Sequence, residues 1–174
     1  MGRFRQRYEL ICWFGAGVVI STILSNRLFS SGLVNYQMLY QYVRQGWINA
    51  MEKRPWTAAQ ILLVRGLETV GIWLICQRYR RRLGIFLLLL AGGGVVGLSV
   101  VLMTWSRGAA GIFYYLLSSF PQGLCYIPAW LMLIFQALSG YEIHRGKFWS
   151  AVLALVLLGI LAEILINPFF LRFV

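Results

Sequence analysis

The sequence predicts an all-α, polytopic membrane protein with about five transmembrane helices, the fourth of them broken, and one external amphipathic helix. Hydrophobic residues make up 60% of the 174 residues and charged residues 12%, whereas a soluble domain usually carries about 25% charged residues. Several apolar stretches come close to the roughly 20 residues that a membrane-spanning helix needs. We therefore expect residues 1–174 to form a single membrane domain.

The first predicted span covers residues 10–25. It follows a basic segment that contains Arg3, Arg5 and Arg7. A charged segment before a short apolar stretch also describes a signal peptide. Because residues 21–27 offer no Ala-x-Ala cleavage site, we expect an uncleaved first helix.

Residues 26–60 form a polar connector, and part of it has helical periodicity. Apolar side chains recur at Tyr36, Leu39, Val43 and Trp47, whereas the glutamines lie mostly on the other side. This pattern predicts an amphipathic helix, and its Tyr and Trp residues favour the headgroup region of a bilayer. Two interpretations stay open: an interfacial helix that caps the bundle, or a surface on which a partner docks.

The second and third predicted spans cover residues 61–77 and 83–105. Within the third span, Gly93 and Gly97 form a small-xxx-small pair, which permits a neighbouring helix to approach closely. Further glycines beside this pair loosen the helix, so a local distortion is the alternative interpretation.

The fourth predicted span, residues 109–139, is too long for one straight helix. As a single helix it would measure roughly 46 Å, whereas the hydrocarbon core is about 30 Å thick. Pro121 and Pro128 provide the break, because each removes a backbone donor and clashes with the preceding turn. We expect two helical pieces, at residues 109–119 and 124–138.

The last predicted span covers residues 149–167, and the positive charges predict how all five spans are oriented. If the N-terminus is inside, the densest arginine clusters, such as residues 78–82, lie on the cytoplasmic side, as the positive-inside rule requires. We therefore expect a protein of the cell (inner) membrane with its C-terminus outside and with the fourth span crossing once. The net charge of +11 then orients the chain in the lipid bilayer, and we expect no nucleic-acid partner.

Three charged residues lie at membrane depth: Arg65, Glu68 and Glu163. Each costs on the order of 2.5–3.5 kcal/mol at the centre of a bilayer. Arg65 and Glu68 are three residues apart on one helix and can pair. For Glu163 three states stay open: a contact with Arg65, a hydrogen bond to the amide of Gln122, or a protonated carboxyl. These groups form either a structural clamp or a path for a proton or substrate.

The sequence predicts no catalytic, metal-binding or cofactor-binding site. Cys12, Cys76 and Cys125 lie in apolar segments without the spacing of metal ligands, and His144 is the single histidine. No P-loop, His-Glu-x-x-His or Gly-x-Ser-x-Gly motif occurs. We expect a protein that is not an enzyme.

Three segments of the second half resemble the family of stage II sporulation protein M. Residues 118–129 contain Pro121-Gln122, four further residues, an isoleucine and then Pro128-Ala129, like the family's Pro-Gln-x4-aliphatic-Pro-Ala signature. Residues 94–100 resemble its Gly-Val-Val-Val-Gly stretch. Glu163, followed by Asn167-Pro168, matches its Glu-x4-Pro tail, so that the resemblance covers residues 83–174 in order.

This resemblance implies a membrane anchor that acts during engulfment of the forespore in endospore-forming bacteria. It implies two peptidoglycan hydrolases, sporulation proteins D and P, as partners at the septal membrane, and a scaffold that is not itself a hydrolase. Residues 26–60 are then the natural docking surface. The alternative is a transporter or ABC-permease-like subunit, because secondary transporters also use broken helices and charges at membrane depth. Either class is compatible with a homo-oligomer.

Overall fold

The computed structural model describes residues 2–51, 55–77, 81–139 and 145–166, and within these ranges it contains six α-helices and no strand. The helices are α1 (Gly2–Ser30), α2 (Tyr36–Met51), α3 (Pro55–Gln77), α4 (Arg81–Arg107), α5 (Ala110–Ser139) and α6 (Arg145–Leu165). Four of these helices, α1, α3, α4 and α6, are long and apolar enough to cross a membrane, and α5 adds a fifth span if its two segments cross together. The predicted all-α, multi-pass fold is confirmed.

The helices extend beyond most of the predicted apolar spans. The four candidate spans are Tyr8–Ser30, Trp56–Gln77, Arg82–Arg107 and Gly146–Leu165. Helical hydrogen bonds continue into residues that are too polar to be counted as apolar, so hydropathy underestimates helix length at these ends. Asn167-Pro168, expected to end the last span, lies outside the described residues.

Helix α5 contains the predicted break. Its segments Ala110–Phe120 and Gln122–Leu138 are inclined to each other by 67°. Pro121 lies between them, and its ring removes the N–H that would bond to the carbonyl of residue 117. Pro128 lies inside the second segment, which continues through it. The bend is therefore placed at Pro121, and the helix tolerates the single backbone bond lost at Pro128.

The chain divides into two compact units. Unit 1 comprises Met1–Val43 and Leu83–Tyr115, and unit 2 comprises Arg44–Arg82 and Leu116–Val174. Helix α1 and, from Leu83 onward, helix α4 belong to unit 1, whereas α3 and α6 belong to unit 2. Helices α2 and α5 begin in unit 1 and end in unit 2.

In unit 1, α1 and α4 run parallel. In their N-terminal halves Trp13 stacks on Phe86, with ring centroids 5.4 Å apart. Near their last turns the indole N–H of Trp105 donates to the side-chain oxygen of Asn26 over 2.9 Å. The residue numbers of the contacting pairs therefore increase in the same direction along both helices, as they do when two helices are parallel.

The closest approach in unit 1 occurs at the glycines of α4. A Cβ atom added at Gly93 would collide with the backbone carbonyl of Phe14, and one added at Gly97 would lie 2.6 Å from the carbonyl of Val18. The neighbouring Gly92 has nothing within 4 Å of the same position. Because α4 is continuous here, these glycines serve close packing and do not distort the helix.

In unit 2, α3 and α6 pack against each other and run antiparallel. Arg65 meets Glu163 at one point, whereas Trp73 meets Trp149 edge to face at another, with ring centroids 5.8 Å apart. The buried apolar side chains of α6 recur at helical spacing: Phe148, Val152, Val156 and Ile160. In the second segment of α5 the buried residues are Tyr126, Ala129, Leu133 and Ala137, and Tyr126 contacts α6 at Gly159 and Glu163.

Candidate functional site

Three charged residues of unit 2, Arg65, Glu68 and Glu163, meet beside the inner face of α3. Arg65 shares that face with the buried residues Ile72 and Cys76, seven and eleven positions further on. Its Nε donates to Oε2 of Glu163 over 2.9 Å, and its Nη2 donates to Oε1 over 3.0 Å. This two-point contact between a guanidinium and a carboxylate is the strongest geometry that such a pair adopts.

Glu68 completes the coordination of the arginine. The Nη1 of Arg65 donates to Oε2 of Glu68 over 2.8 Å, across one turn of α3. The two carboxylates differ in their surroundings, because the side chain of Glu163 is 13% exposed and that of Glu68 is 40% exposed. Glu163 is therefore the inner partner and Glu68 the outer one.

Tyr126 brings the second segment of α5 into the same site. Its hydroxyl donates to Oε2 of Glu163 over 3.0 Å. The guanidinium carbon of Arg65 lies 5.0 Å from the centroid of the Tyr126 ring, which is within the range of a cation–π contact. One tyrosine thus contacts both members of the inner ion pair.

A glycine makes room for this tyrosine on α6. A Cβ atom at Gly159 would lie 2.6 Å from Cε1 of Tyr126, a distance that two carbon atoms do not adopt. Gly159 precedes Glu163 by four residues, which places both on one face of α6. The ring of Tyr126 therefore lies directly against the α6 backbone, with its hydroxyl beside the carboxylate.

We refer to Arg65, Glu68, Tyr126 and Glu163 as the ion cluster. All four residues belong to unit 2. With its acids ionised, the cluster contains one positive and two negative charges. The arginine uses Nε, Nη1 and Nη2 within the cluster. In this closed arrangement all three guanidinium nitrogens donate within the cluster, and one arginine joins residues of three helices.

Two buried polar atoms of α5 lie close in sequence to the cluster. Within the described residues, neither Oε1 of Gln122 nor the indole nitrogen of Trp130 has a hydrogen-bond partner. Gln122 and Trp130 flank Tyr126 by four residues on either side, so all three lie along one face of the helix. The Tyr126 and Trp130 rings are stacked, with centroids 5.7 Å apart.

The structure selects among the three states predicted for Glu163. The carboxylate contacts Arg65 and Tyr126, and the predicted hydrogen bond to the Gln122 amide is not among its contacts. The structure joins Arg65, Glu68 and Glu163, as the sequence allowed. Tyr126 and Gly159 were not predicted, although the spacing of Gly159 and Glu163 on one helix was a signal that could have indicated a close contact.

The predicted docking residues of α2 are divided between two environments. Tyr36 and Val43 are partly buried against a core formed by Phe29, Val101 and Leu102. Leu39 is 38% exposed, and the side chain of Trp47 lies outside the described part of the chain. The first turns of α2 therefore cap unit 1.

The exposed side of α2 carries other apolar residues. Met38 is 69% exposed and Tyr42 is 81% exposed. On the capped side, the phenolic oxygen of Tyr40 accepts a hydrogen bond from Nε of Arg107 over 3.0 Å. A docking surface on this helix would consist of Met38, Leu39 and Tyr42.

The described ranges contain no set of residues that could bind a metal ion. No group of three or more His, Cys, Asp and Glu residues there could hold a metal ion. Cys12 is exposed, Cys76 buried and Cys125 intermediate, and each is a free thiol. His144 lies outside these ranges.

The fold and the ion cluster define a multi-pass helical membrane protein with a charge-assisted contact between three of its helices. Comparisons of the chain with protein-family models, curated proteins and solved structures find no match.

Proposed function

We propose that this protein is a non-enzymatic scaffold of the cell membrane that recruits peptidoglycan hydrolases to the septal membrane during engulfment of the forespore. The observation that carries the proposal is the closure of the ion cluster, in which Arg65 is bound by Glu163 and Glu68. An arginine at membrane depth whose three nitrogens all donate to neighbouring carboxylates favours a structural role over turnover of a substrate. The resemblance of residues 83–174 to stage II sporulation protein M supplies the biological context and names sporulation proteins D and P as partners.

The helix directions support an odd number of crossings, which places the N-terminus and the C-terminus on opposite sides of the membrane. The positive-inside rule then assigns the N-terminus to the cytoplasm. The parallel arrangement of α1 and α4 fits a chain whose first and third spans cross in the same direction. The antiparallel arrangement of α3 and α6 fits a bent α5 that crosses once. A re-entrant α5 would return the chain to the side from which it came, and α6 would then run parallel to α3.

The docking surface in this proposal is the exposed side of α2. Met38, Leu39 and Tyr42 are apolar and accessible, and in the proposed orientation they lie on the wall side of the membrane. Tyr36 and Val43 hold the helix against unit 1. A rigid support of this kind reduces the entropy that a partner loses when it binds.

Site-specific photocrosslinking tests the proposal with two tyrosines of the same helix. A photoreactive phenylalanine derivative in place of Tyr42 should crosslink to a peptidoglycan hydrolase in cells undergoing engulfment. The same replacement at the packed Tyr36 serves as the control and should give little product. Recovery of a cytoplasmic ATPase instead of a hydrolase would contradict the scaffold. A position of the gene among sporulation genes in a spore former would support it independently.

A transporter or permease-like subunit is the second candidate. The observation that favours it is the pair of unpartnered buried atoms, Oε1 of Gln122 and Nε1 of Trp130, in the segment that follows the bend of α5. Broken helices with polar groups at membrane depth line the binding sites of secondary transporters. Glu163→Gln separates the two functions, because a proton-relaying transporter would lose transport with its fold intact, whereas a scaffold would lose stability.

A further inference from the structure

The outer carboxylate of the ion cluster occupies an unusual position for a charged group. Glu68 is the thirteenth residue of the candidate span Trp56–Gln77. At 1.5 Å per residue it lies about 18 Å from one end of the span and about 14 Å from the other. Its side chain is 40% exposed. A carboxylate at this depth would face the hydrocarbon region, where an ionised group is costly.

The surface around Glu68 is otherwise apolar. The exposed residues beside it on α3 are Val64, one turn before, and Leu67, which are 48% and 63% exposed. A polar residue on the lipid side of a span usually faces another helix or a water-filled cavity. A partly exposed carboxylate that is bordered by aliphatic side chains on its exposed side is therefore what a contact surface for another membrane helix contains.

The charge balance of the cluster indicates that such a helix carries a positively charged side chain. Arg65 is shared between Glu163 and Glu68, so the ionised cluster has one negative charge in excess. Arg65 is the one basic residue of the sequence within Trp56–Gln77, and residues 10–26, 83–106, 108–138 and 148–166 contain no Lys or Arg. No other span of this chain can supply a second cation at membrane depth.

A second copy of the chain does not meet this need. It would bring another cluster in which the arginine is already bound by two carboxylates. Two such surfaces in contact would bring two negative groups together in a medium of low dielectric constant, where like charges repel strongly. The complementary occupant is a helix of a different protein.

We propose that the α3 surface centred on Glu68 binds a transmembrane helix of another protein that carries a Lys or Arg side chain near the middle of the membrane. The proposal rests on the scaffold function, because it specifies the chemistry through which a recruited membrane protein is held. The cation would bind Glu68 from the side opposite to Arg65 and would balance the cluster. The aliphatic residues around Glu68 would pack against the rest of the partner helix.

Defined peptides test the proposal without knowledge of the natural partner. The full chain is reconstituted in liposomes with a labelled single-span peptide of Leu and Ala whose central residue is Lys, Leu or Glu. Energy transfer between chain and peptide measures association. We expect the Lys peptide to associate about 3- to 30-fold more strongly than the Leu peptide, the range spanned by polar contacts between membrane helices, and the Glu peptide to associate least.

Two variants locate the contact. Glu68→Gln should abolish the preference for the Lys peptide. Leu74→Gln places the same amide at another exposed position of α3 and should leave the preference unchanged. Equal association of the Lys and Leu peptides with the unmodified chain would overturn the proposal, as would a Lys preference that survives in Glu68→Gln. Association between copies of the chain through Glu68 would also overturn it.

The outcome separates this proposal from the scaffold function itself. If the peptides show no preference while Tyr42 still crosslinks to a hydrolase, recruitment takes place through α2 and the Glu68 surface is not involved. If the Lys preference depends on Glu68 while no hydrolase crosslinks at Tyr42, the surface binds a cationic helix but the proposed partner class is wrong.

Discussion

In unit 1, α1 and α4 touch through glycines, whereas in unit 2, α3, α5 and α6 are joined by charged and polar side chains. The contact at Gly93 depends on the lack of a side chain, because any Cβ there would collide with α1. The contact at Arg65 depends on three acceptors and an aromatic ring that reach it from three helices. Apolar side chains contact lipid as favourably as they contact other side chains, so hydrophobicity alone does not drive helices together in a membrane. Each of the two contacts provides another source of attraction between helices.

Opposite kinds of substitution disrupt the two contacts. Close packing in unit 1 is lost when an atom is added, whereas the ion cluster of unit 2 is lost when one is removed. The packing contact at the glycines contains no charged side chain and does not depend on ionisation. The ionic contact leaves unpaired charges behind when one partner is lost, so its disruption is more costly than its formation is favourable.

The largest effect is expected for Arg65→Leu in unit 2. This substitution leaves Glu163 and Glu68 without their cation and should lower the free energy of unfolding by about 3–5 kcal/mol. Reversible unfolding in mixed micelles of a mild detergent and dodecyl sulfate measures the change. A triple variant in which both glutamates are also replaced by Leu should recover most of the loss. A loss below about 1 kcal/mol for Arg65→Leu would show that the cluster does not hold unit 2 together.

A smaller effect is expected for Gly93→Ala in unit 1. The added methyl group collides with the Phe14 carbonyl, and such overpacking typically costs about 1–3 kcal/mol. Gly92→Ala is the matched control, because nothing lies within 4 Å of the new Cβ and alanine is the better helix former by about 1 kcal/mol. The same unfolding assay compares the two variants. Equal effects at both positions would contradict the close packing of α1 and α4.

Tyr126→Phe removes one hydrogen bond from the cluster and keeps the ring. The hydroxyl donates to Glu163, and a hydrogen bond between membrane helices contributes about 0.6–1.7 kcal/mol. We expect the free energy of unfolding to fall by that amount. Tyr42→Phe removes a hydroxyl from a side chain that is 81% exposed and should change stability by less than about 0.5 kcal/mol. If both variants unfold alike, the Tyr126 hydroxyl does not stabilise the cluster.

The smallest effect on stability is expected for Glu68→Gln. Glutamine keeps a side-chain oxygen that can accept from Nη1 of Arg65, and Arg65 keeps the carboxylate of Glu163, so we expect a smaller loss than for Tyr126→Phe. Glu163→Gln should cost clearly more, because Glu163 is 13% exposed and accepts hydrogen bonds from both Arg65 and Tyr126. Side-by-side unfolding of the two variants measures the difference. Equal losses would contradict the distinction between an inner and an outer carboxylate.

Much of this fold could be predicted from local features of the sequence. The spans follow from hydropathy, and the bend of α5 follows from Pro121, because a missing backbone donor acts on its own helix. The amphipathic helix α2 follows from the spacing of Tyr36, Leu39 and Val43. That spacing shows only that one face is apolar and does not show what covers it. A core of unit 1 covers Tyr36 and Val43, which moves the available apolar surface to Met38 and Tyr42.

The candidate site could be predicted only in part. Arg65 and Glu68 pair within one turn, so their contact follows from their spacing alone. The partner of Glu163 could not be selected, because Arg65 lies 98 positions away in the chain and Gln122 was equally available. Tyr126 and Gly159 escaped prediction for the same reason, since each has its role only when α5 lies directly against α6.

The sequence was sufficient for the class of protein, four of its candidate spans and the position of the bend, because hydropathy and backbone chemistry act over a few neighbouring residues. The tertiary structure alone decided which charges meet and which faces stay exposed, because these depend on the rotation and depth of helices far apart in the chain. The bidentate pair of Arg65 and Glu163, the ring of Tyr126 against Gly159 and the partly exposed Glu68 all arise at that level. The stability expected of unit 2 and the partner proposed for it both follow from these contacts.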